Sequence, residues 1–318
     1  MDLKNEFESK DRDFEWQYIR HLVDTYEDMQ KVRLAEMNRA RQLLYRRLED
    51  LGYAVEEKKL EGEKAFGEKV SDKVLKPALE KAIKEGKLSE QEVELIEENS
   101  KYGKKFKALE AEIQKRFSPR ISTHPVYVNY LSKFKGVGVL TSARLICFLG
   151  DCYNGGNEEH EKDRFPTVSK LWAYAGYSVD DGRAQRRKKG QKSNWNNRLK
   201  TLGFLIGDSF IKQRSKYREI YDAERKRLRE LHPEKIKVDG KTKYNDGHVH
   251  AMARRNMVKK FFCNYWIWVR KFYGFPVREP FVVEKLGHSS FRSPESFFDE
   301  DLKKAKKRGK KKKKALKK

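Results

Sequence analysis

From residue 11 to residue 49 the chain contains no glycine or proline, and Ile19, Leu22, Tyr26 and Met29 recur at alternating steps of three and four. That period lays one apolar stripe along a helix. A helix over those residues would be roughly 58 Å long, more than a small domain needs. The pattern therefore predicts a coiled-coil-like arm or a contact between copies of the chain, although Arg33 and Glu36 interrupt a regular heptad. The next stretch, "PALEKAIKEGKLSEQEVELIEEN", predicts a helical hairpin. Gly86 stands at a helix C-cap, and Ser89 with Glu92 three residues on forms a capping box. Pro119 and Pro125 in "FSPRISTHPVYV" are expected to break the helical pattern. Beyond them, "YVNYLSKFKGVGVLTSARLICFLGD" reads as helix, tight turn, helix, with Gly136 and Gly138 in the turn. A later stripe, Met257, Phe261, Tyr265, Trp268 and Phe272, marks another helix; its aromatic residues read as core before they read as a base-stacking surface. The expected fold class is mainly α. It comprises a long N-terminal helical, coiled-coil-like region (1–120), a helix-hairpin-helix DNA-binding domain (121–300) and a disordered Lys-rich tail (301–318).

Charge changes this picture. Hydrophobic residues make up 37% of the 318, enough for a core, but 73 Lys and Arg against 48 Asp and Glu leave a formal charge of +25. Residues 1–120 hold 26 basic and 27 acidic side chains, so the later part carries the whole surplus. Such a surplus favours a polyanion partner. From Lys303 to Lys318, twelve of sixteen residues are basic. A block of that kind repels itself and adds nonspecific affinity for nucleic acid.

Cys147, Cys152 and Cys263, an odd number without a CxxC spacing, argue against a disulfide framework and a thiolate zinc site. His248 and His250, two apart, suit a metal poorly from a helix, so no metal site is expected. No apolar run suggests a secretory leader or a membrane span. The expected location is the cytoplasm or nucleoid.

Two segments carry candidate chemistry. Around Gly136 and Gly138 the chain can turn closely and present the free N–H groups of the next helix to a phosphate, down to Thr141. Lys133, Lys135 and Arg144 would add charge there. In "GYSVDDGRAQRRKKGQKSNWNNRLKTLGF", Arg183, Arg186, Arg187, Lys188, Lys189, Lys192, Arg198 and Lys200 follow Asp181 with no further acidic residue. This stripe would neutralise several phosphates without reading sequence. A turn that only reverses the chain, and a solvated basic loop, are the plainer readings of the two segments.

Taken in order, "LSKFKGVGVLTSARLICFLGD", "RFPTVSKLWAYAGYS" and the basic segment resemble the C-terminal transposase domain of the IS-one-ten (also IS-one-sixteen) family of insertion-sequence transposases. The matching positions are Gly136, Gly138, Thr141, Ala143, Gly150, Asp151, Phe165, Leu171, Ala173, Tyr174, Gly176, the arginine and lysine run, Asn197 and Leu199. "HVHAMARRNMVKKFF" resembles the closing helix of that domain, and the likeness spans roughly residues 125–265. It implies a DNA-handling domain acting in transposition or recombination, with structured guide RNA as a second polyanion.

The chain departs from the family twice. Residues 1–120 show no strand pattern for its RNase H-like half with a DEDD carboxylate set, and Asp181-Gly182 stands where the family has a serine-glycine pair. Ser178 and Asp181 are thus weak catalytic candidates, enzymatic activity is left open, and no cofactor is expected unless another subunit completes catalysis with Mg²⁺. The leading expectation is a DNA-binding protein of transposase or recombinase type, homo-oligomeric through its long helix. The alternatives are a catalytically inactive structural or accessory protein of chromatin, virus or plasmid, and a guide-RNA binder.

Overall fold

The computed structural model describes residues 9–53, 72–150, 152, 163–180, 182–187, 189–238, 241–278 and 292–299. The tail beyond Asp299, together with Asp181 and Lys188, lies outside them. The chain packs as two compact units, one formed by Leu22–Arg116 and the other by Met1–His21 with Phe117–Lys318. The cuts fall between His21 and Leu22 and between Arg116 and Phe117, beside the single 120/121 division read from the prolines and charge balance.

The first unit is built on helices α1 (Ser9–Asp50), α2 (Asp72–Lys84) and α3 (Glu90–Thr123), of which α1 and α3 also run into the second unit. The anticipated apolar stripe is inward: Leu22 and Tyr26 are buried. Leu48, Leu75 and Ala82 form a small core closed by Tyr45, Tyr53 and Leu88. The turn between α2 and α3 follows its sequence signals. Gly86 is left-handed at φ 63°, and the Lys87 and Gly86 amides donate to the Ala82 and Ile83 carbonyls. Ser89 and Glu92 cap reciprocally, with the Ser89 amide donating to Glu92 Oε2 at 2.8 Å and the Glu92 amide to Ser89 Oγ at 3.3 Å. Arg33 reaches across from α1 to Glu110 of α3, Nε to Oε1 at 2.5 Å.

In the second unit come α4 (Pro125–Asn129), α5 (Val139–Leu149), α6 (Val168–Tyr174), β1 (Val179–Asp180), β2 (Arg183–Ala184), α7 (Asn197–Gln213), α8 (Arg218–Leu231), β3 (Ile236–Val238), β4 (Lys241–Lys243) and α9 (Asp246–Phe272). Helix α9 is the axis, packing against α6, α7 and α8. Its anticipated stripe is buried at Met257, Phe261 and Tyr265, and Val258, Phe262, Trp266 and Val269 extend that burial around the helix. Phe134, Phe210, Tyr217 and Phe261 interlock beside it, with Phe210 stacked on Tyr217 at 4.9 Å and Phe134 5.5 Å from Tyr217. Helix starts follow capping chemistry: the side chains of Thr167, Asn196 and Asn245 accept from backbone amides three residues on.

Arg270 is 1% exposed and holds Asp163 through two nitrogens at 2.8 and 2.7 Å, while donating to the carbonyls of Pro276, Phe165 and Cys152. A C-terminal strap, Arg292–Asp299, closes the other side. Phe297 stacks on Tyr217 at 4.7 Å, and Phe298 meets Tyr130 and Phe134.

The mainly α expectation holds, with nine α-helices among the described residues. Two details differ from the reading of the sequence. Helix α3 continues through Pro119 to Thr123; the helix ends only where His124, extended at φ −60° and ψ 130°, caps α4. Two short antiparallel hairpins, β1–β2 and β3–β4, also interrupt the helices.

Candidate nucleic-acid interface

The glycine turn lies between α4 and α5, with a single turn of 3-10 helix at Leu131–Lys133 before it. Its two glycines have different settings. Gly136 has φ +90°, and a Cβ there would lie 2.4 Å from Ser209 Oγ of α7, which itself donates to the Gly136 carbonyl at 2.9 Å. Packing on α7 therefore accounts for Gly136. Gly138 caps α5, is exposed, and a Cβ there would meet nothing within 4 Å. The first amides of α5, through Thr141, follow this open position without a side-chain cap.

The Lys135 amide is already engaged. It donates to Asp299 Oδ2 at 2.6 Å, while Ser215 Oγ and the Lys216 amide also donate to that carboxylate, at 2.9 and 2.8 Å. The Asp299 amide returns a bond to the Lys133 carbonyl at 2.9 Å. Beside this clasp a cleft of about 350 Å³ is lined by Lys135, Arg214, Lys216 and Arg218, with Glu219 and Asp222. Lys133 is exposed, whereas Thr141 and Arg144 are half-buried.

The basic segment runs from the β1–β2 hairpin to the start of α7. Asp180 pairs with Arg183, which leaves two residues for the turn, the second being Gly182 at φ +71°. Arg183, Arg186, Arg187, Lys189 and Lys192 are all exposed. Among the described side chains no carboxylate forms an ion pair with any of them. Arg186 approaches the start of α9: burial first, and then the charges of Arg186, Lys243 and His232, hold His248 below the ordinary histidine range. The hairpin lysine Lys243 and the loop arginine thus act on one imidazole.

The remaining candidates are tied into the fold. Arg198 places its guanidinium 5.0 Å from the centre of the Phe148 ring of α5. Lys200 lies 4.3 Å from the Trp195 ring centre and donates to the Gln185 carbonyl at 2.8 Å. Ser178 contributes its backbone carbonyl, which accepts from Arg255 Nη2 at 2.7 Å. No described histidine or carboxylate hydrogen-bonds to the Ser178 hydroxyl. His248 Nδ1 accepts from the Tyr244 amide at 3.1 Å, and His250 Nδ1 lies 2.7 Å from the Tyr221 hydroxyl, so the two rings serve separate contacts. Among the described residues no three His, Cys, Asp or Glu gather as a metal group. No helix there is long and apolar enough to cross a membrane.

No family model, no curated protein and no solved structure matches the chain. The site therefore has to be read from its own chemistry.

The structure adds two cations that the sequence reading did not single out. Arg255 and Lys259 of α9 come next to Tyr177, at 5.3 Å, and Trp172, at 4.2 Å. The available signal was the i, i+4 spacing of Arg255 and Lys259 within the doublets Arg254-Arg255 and Lys259-Lys260. It was overshadowed by the aromatic stripe of the same helix.

Proposed function

We propose that this chain is a DNA-binding protein of transposase or recombinase type that grips the sugar-phosphate backbone. The observation that carries the reading is the exposed basic loop: Arg183, Arg186, Arg187, Lys189 and Lys192 face solvent with no described carboxylate to neutralise them. Cations left in this state release counterions from a polyanion when they meet its phosphates. The open start of α5 at Gly138 supports a second backbone contact through the amides that follow it, and on this reading α4, the glycine turn and α5 act as a helix-hairpin-helix. The contacts are sequence-tolerant, because they meet phosphates rather than base edges.

The test is a titration of a random-sequence duplex at several salt concentrations. Reversing charge at Arg183, Arg186, Arg187 and Lys189 lowers affinity for every sequence and flattens the salt slope, by about 0.9 for each duplex phosphate no longer neutralised. An unchanged slope removes the loop from the interface.

A second reading, binding without strand exchange, is favoured by the Ser178 hydroxyl, which has no base beside it among the described residues. Supercoiled DNA with Mg²⁺ separates the two: a covalent protein–DNA adduct marks the recombinase, and its absence leaves a binder.

A further inference from the structure

Behind the loop lies a different group of cations. Arg255 and Lys259 occupy one face of α9, a helical turn apart, and Lys200 approaches from α7. All three are half-buried. Each is held by an aromatic face, a carbonyl or both. Lys200 lies over Trp195 and donates to the Gln185 carbonyl, Arg255 lies by Tyr177 and donates to the Ser178 carbonyl, and Lys259 lies over Trp172. A ring face or a carbonyl orients a cation but leaves its charge uncompensated. Among the described residues no carboxylate pairs with any of the three. The cations also act on one another: burial, and after it the charge of Arg255, pulls both Lys200 and Lys259 below the ordinary lysine range.

The packing that creates this group is specific. A Cβ on Gly176 would lie 2.7 Å from Trp195 Cδ1 and 2.8 Å from Lys200 Cδ, so glycine at φ +70° is what admits both side chains. Trp195 Nε1 is buried and has no hydrogen-bond partner, which leaves an N–H donor beside the lysine. A half-dry set of like charges with an unused donor is costly unless something negative joins it.

We propose that Lys200, Arg255 and Lys259 form a second anion site that takes backbone phosphate of the same nucleic-acid strand at the root of the basic loop. The link to the loop is direct, because Lys200 bonds the loop carbonyl of Gln185. The proposal rests on the reading of that loop as the nucleic-acid interface.

The experiment compares three proteins on a labelled random-sequence duplex: wild type, a loop variant reversing Arg186 and Arg187, and a double variant Arg255→Gln, Lys259→Gln. The double variant is expected to bind about tenfold more weakly at fixed salt, with a salt slope shallower by about one for each phosphate it fails to neutralise. If it keeps wild-type affinity and slope while the loop variant weakens, this site is overturned and the loop reading stands. If wild type does not bind the duplex, both fall. Amine acylation of the wild-type protein, read by mass spectrometry with and without duplex, gives an answer that does not depend on the variants folding. Protection of Lys200 and Lys259 supports the site, and protection confined to loop lysines such as Lys192 overturns it.

Discussion

Both units pair cations with carboxylates, as Arg218 with Asp222 and Arg227 with Glu224 do in the later one, but one group of later-unit cations is held differently. In Leu22–Arg116 such pairs include Arg33 with Glu110 at 2.5 Å, Arg47 with Glu92 at 2.6 Å and Lys87 with Glu85 at 2.9 Å. In the later unit Lys200, Arg254, Arg255 and Lys259 meet indole, phenol or phenyl faces. A carboxylate cancels a charge; a ring fixes its position and leaves the field intact. The lesson is that net charge alone does not locate a polyanion surface. What matters is which cations the fold has already neutralised.

Arg270 stands outside that ring-held group, and it provides the largest expected effect. It is a later-unit cation that is fully buried and paired with Asp163. Arg270→Ala would strand that carboxylate and open a void, at a cost of about 3–5 kcal/mol in denaturant unfolding. A loss below about 1 kcal/mol would show that Asp163 finds another partner. Next comes charge reversal in the loop at Arg183, Arg186, Arg187 and Lys189, expected to reduce duplex affinity by about 10²–10³ near physiological salt with an unchanged melting temperature. A matching drop in stability would mean that the loop is structural.

The third effect concerns pH. His124 is buried, and desolvation brings its pKa down to about 4 from 6.5. Its Nδ1 also accepts the Val126 amide that starts α4, a role that needs the neutral ring. Because the unfolded chain binds the proton more readily, the stabilisation is complete above the ordinary histidine pKa. It is lost as pH falls toward 4, by up to about 3 kcal/mol. His124→Asn retains a capping side chain, so its stability relative to wild type should improve between pH 7 and pH 4.5. A constant difference would show that His124 does not titrate in this way. The smallest effect sharpens the contrast between the units. Glu110→Gln should lower stability by about 1–3 kcal/mol, since Arg33 then lacks its charged partner, and leave duplex affinity alone.

Much of the fold was legible because its signals were local. Ser89 with Glu92, Gly86, and the stripe through Leu22 and Tyr26 each specify a helix start, stop or face within a few residues. The two hairpins were missed for a physical reason. Asp-Gly pairs were present in the sequence, but flanks of two or three residues are too short to show the alternation of a strand. At Pro119 the opposite error occurred, since the helix tolerates the missing donor and continues to Thr123. The site was half legible. A run of exposed charge announces itself, whereas Arg255 and Lys259 acquire their setting only when α9 meets Tyr177 and Trp172. The Asp299 clasp was not legible at all, because its partners are separated by 164 and 83 residues.

That clasp has a consequence for biosynthesis. Phe297 and Phe298 complete the ring cluster around Tyr130, Phe134 and Tyr217, yet their neighbour Asp299 lies 164 residues beyond its partner Lys135. On the ribosome, the tyrosines and Phe134 must wait, half-covered, until the strap emerges. Closure of this region therefore waits on slow, sequence-distant pairing, and nascent chains stalled before residue 297 would expose a sticky aromatic face for chaperones to hold.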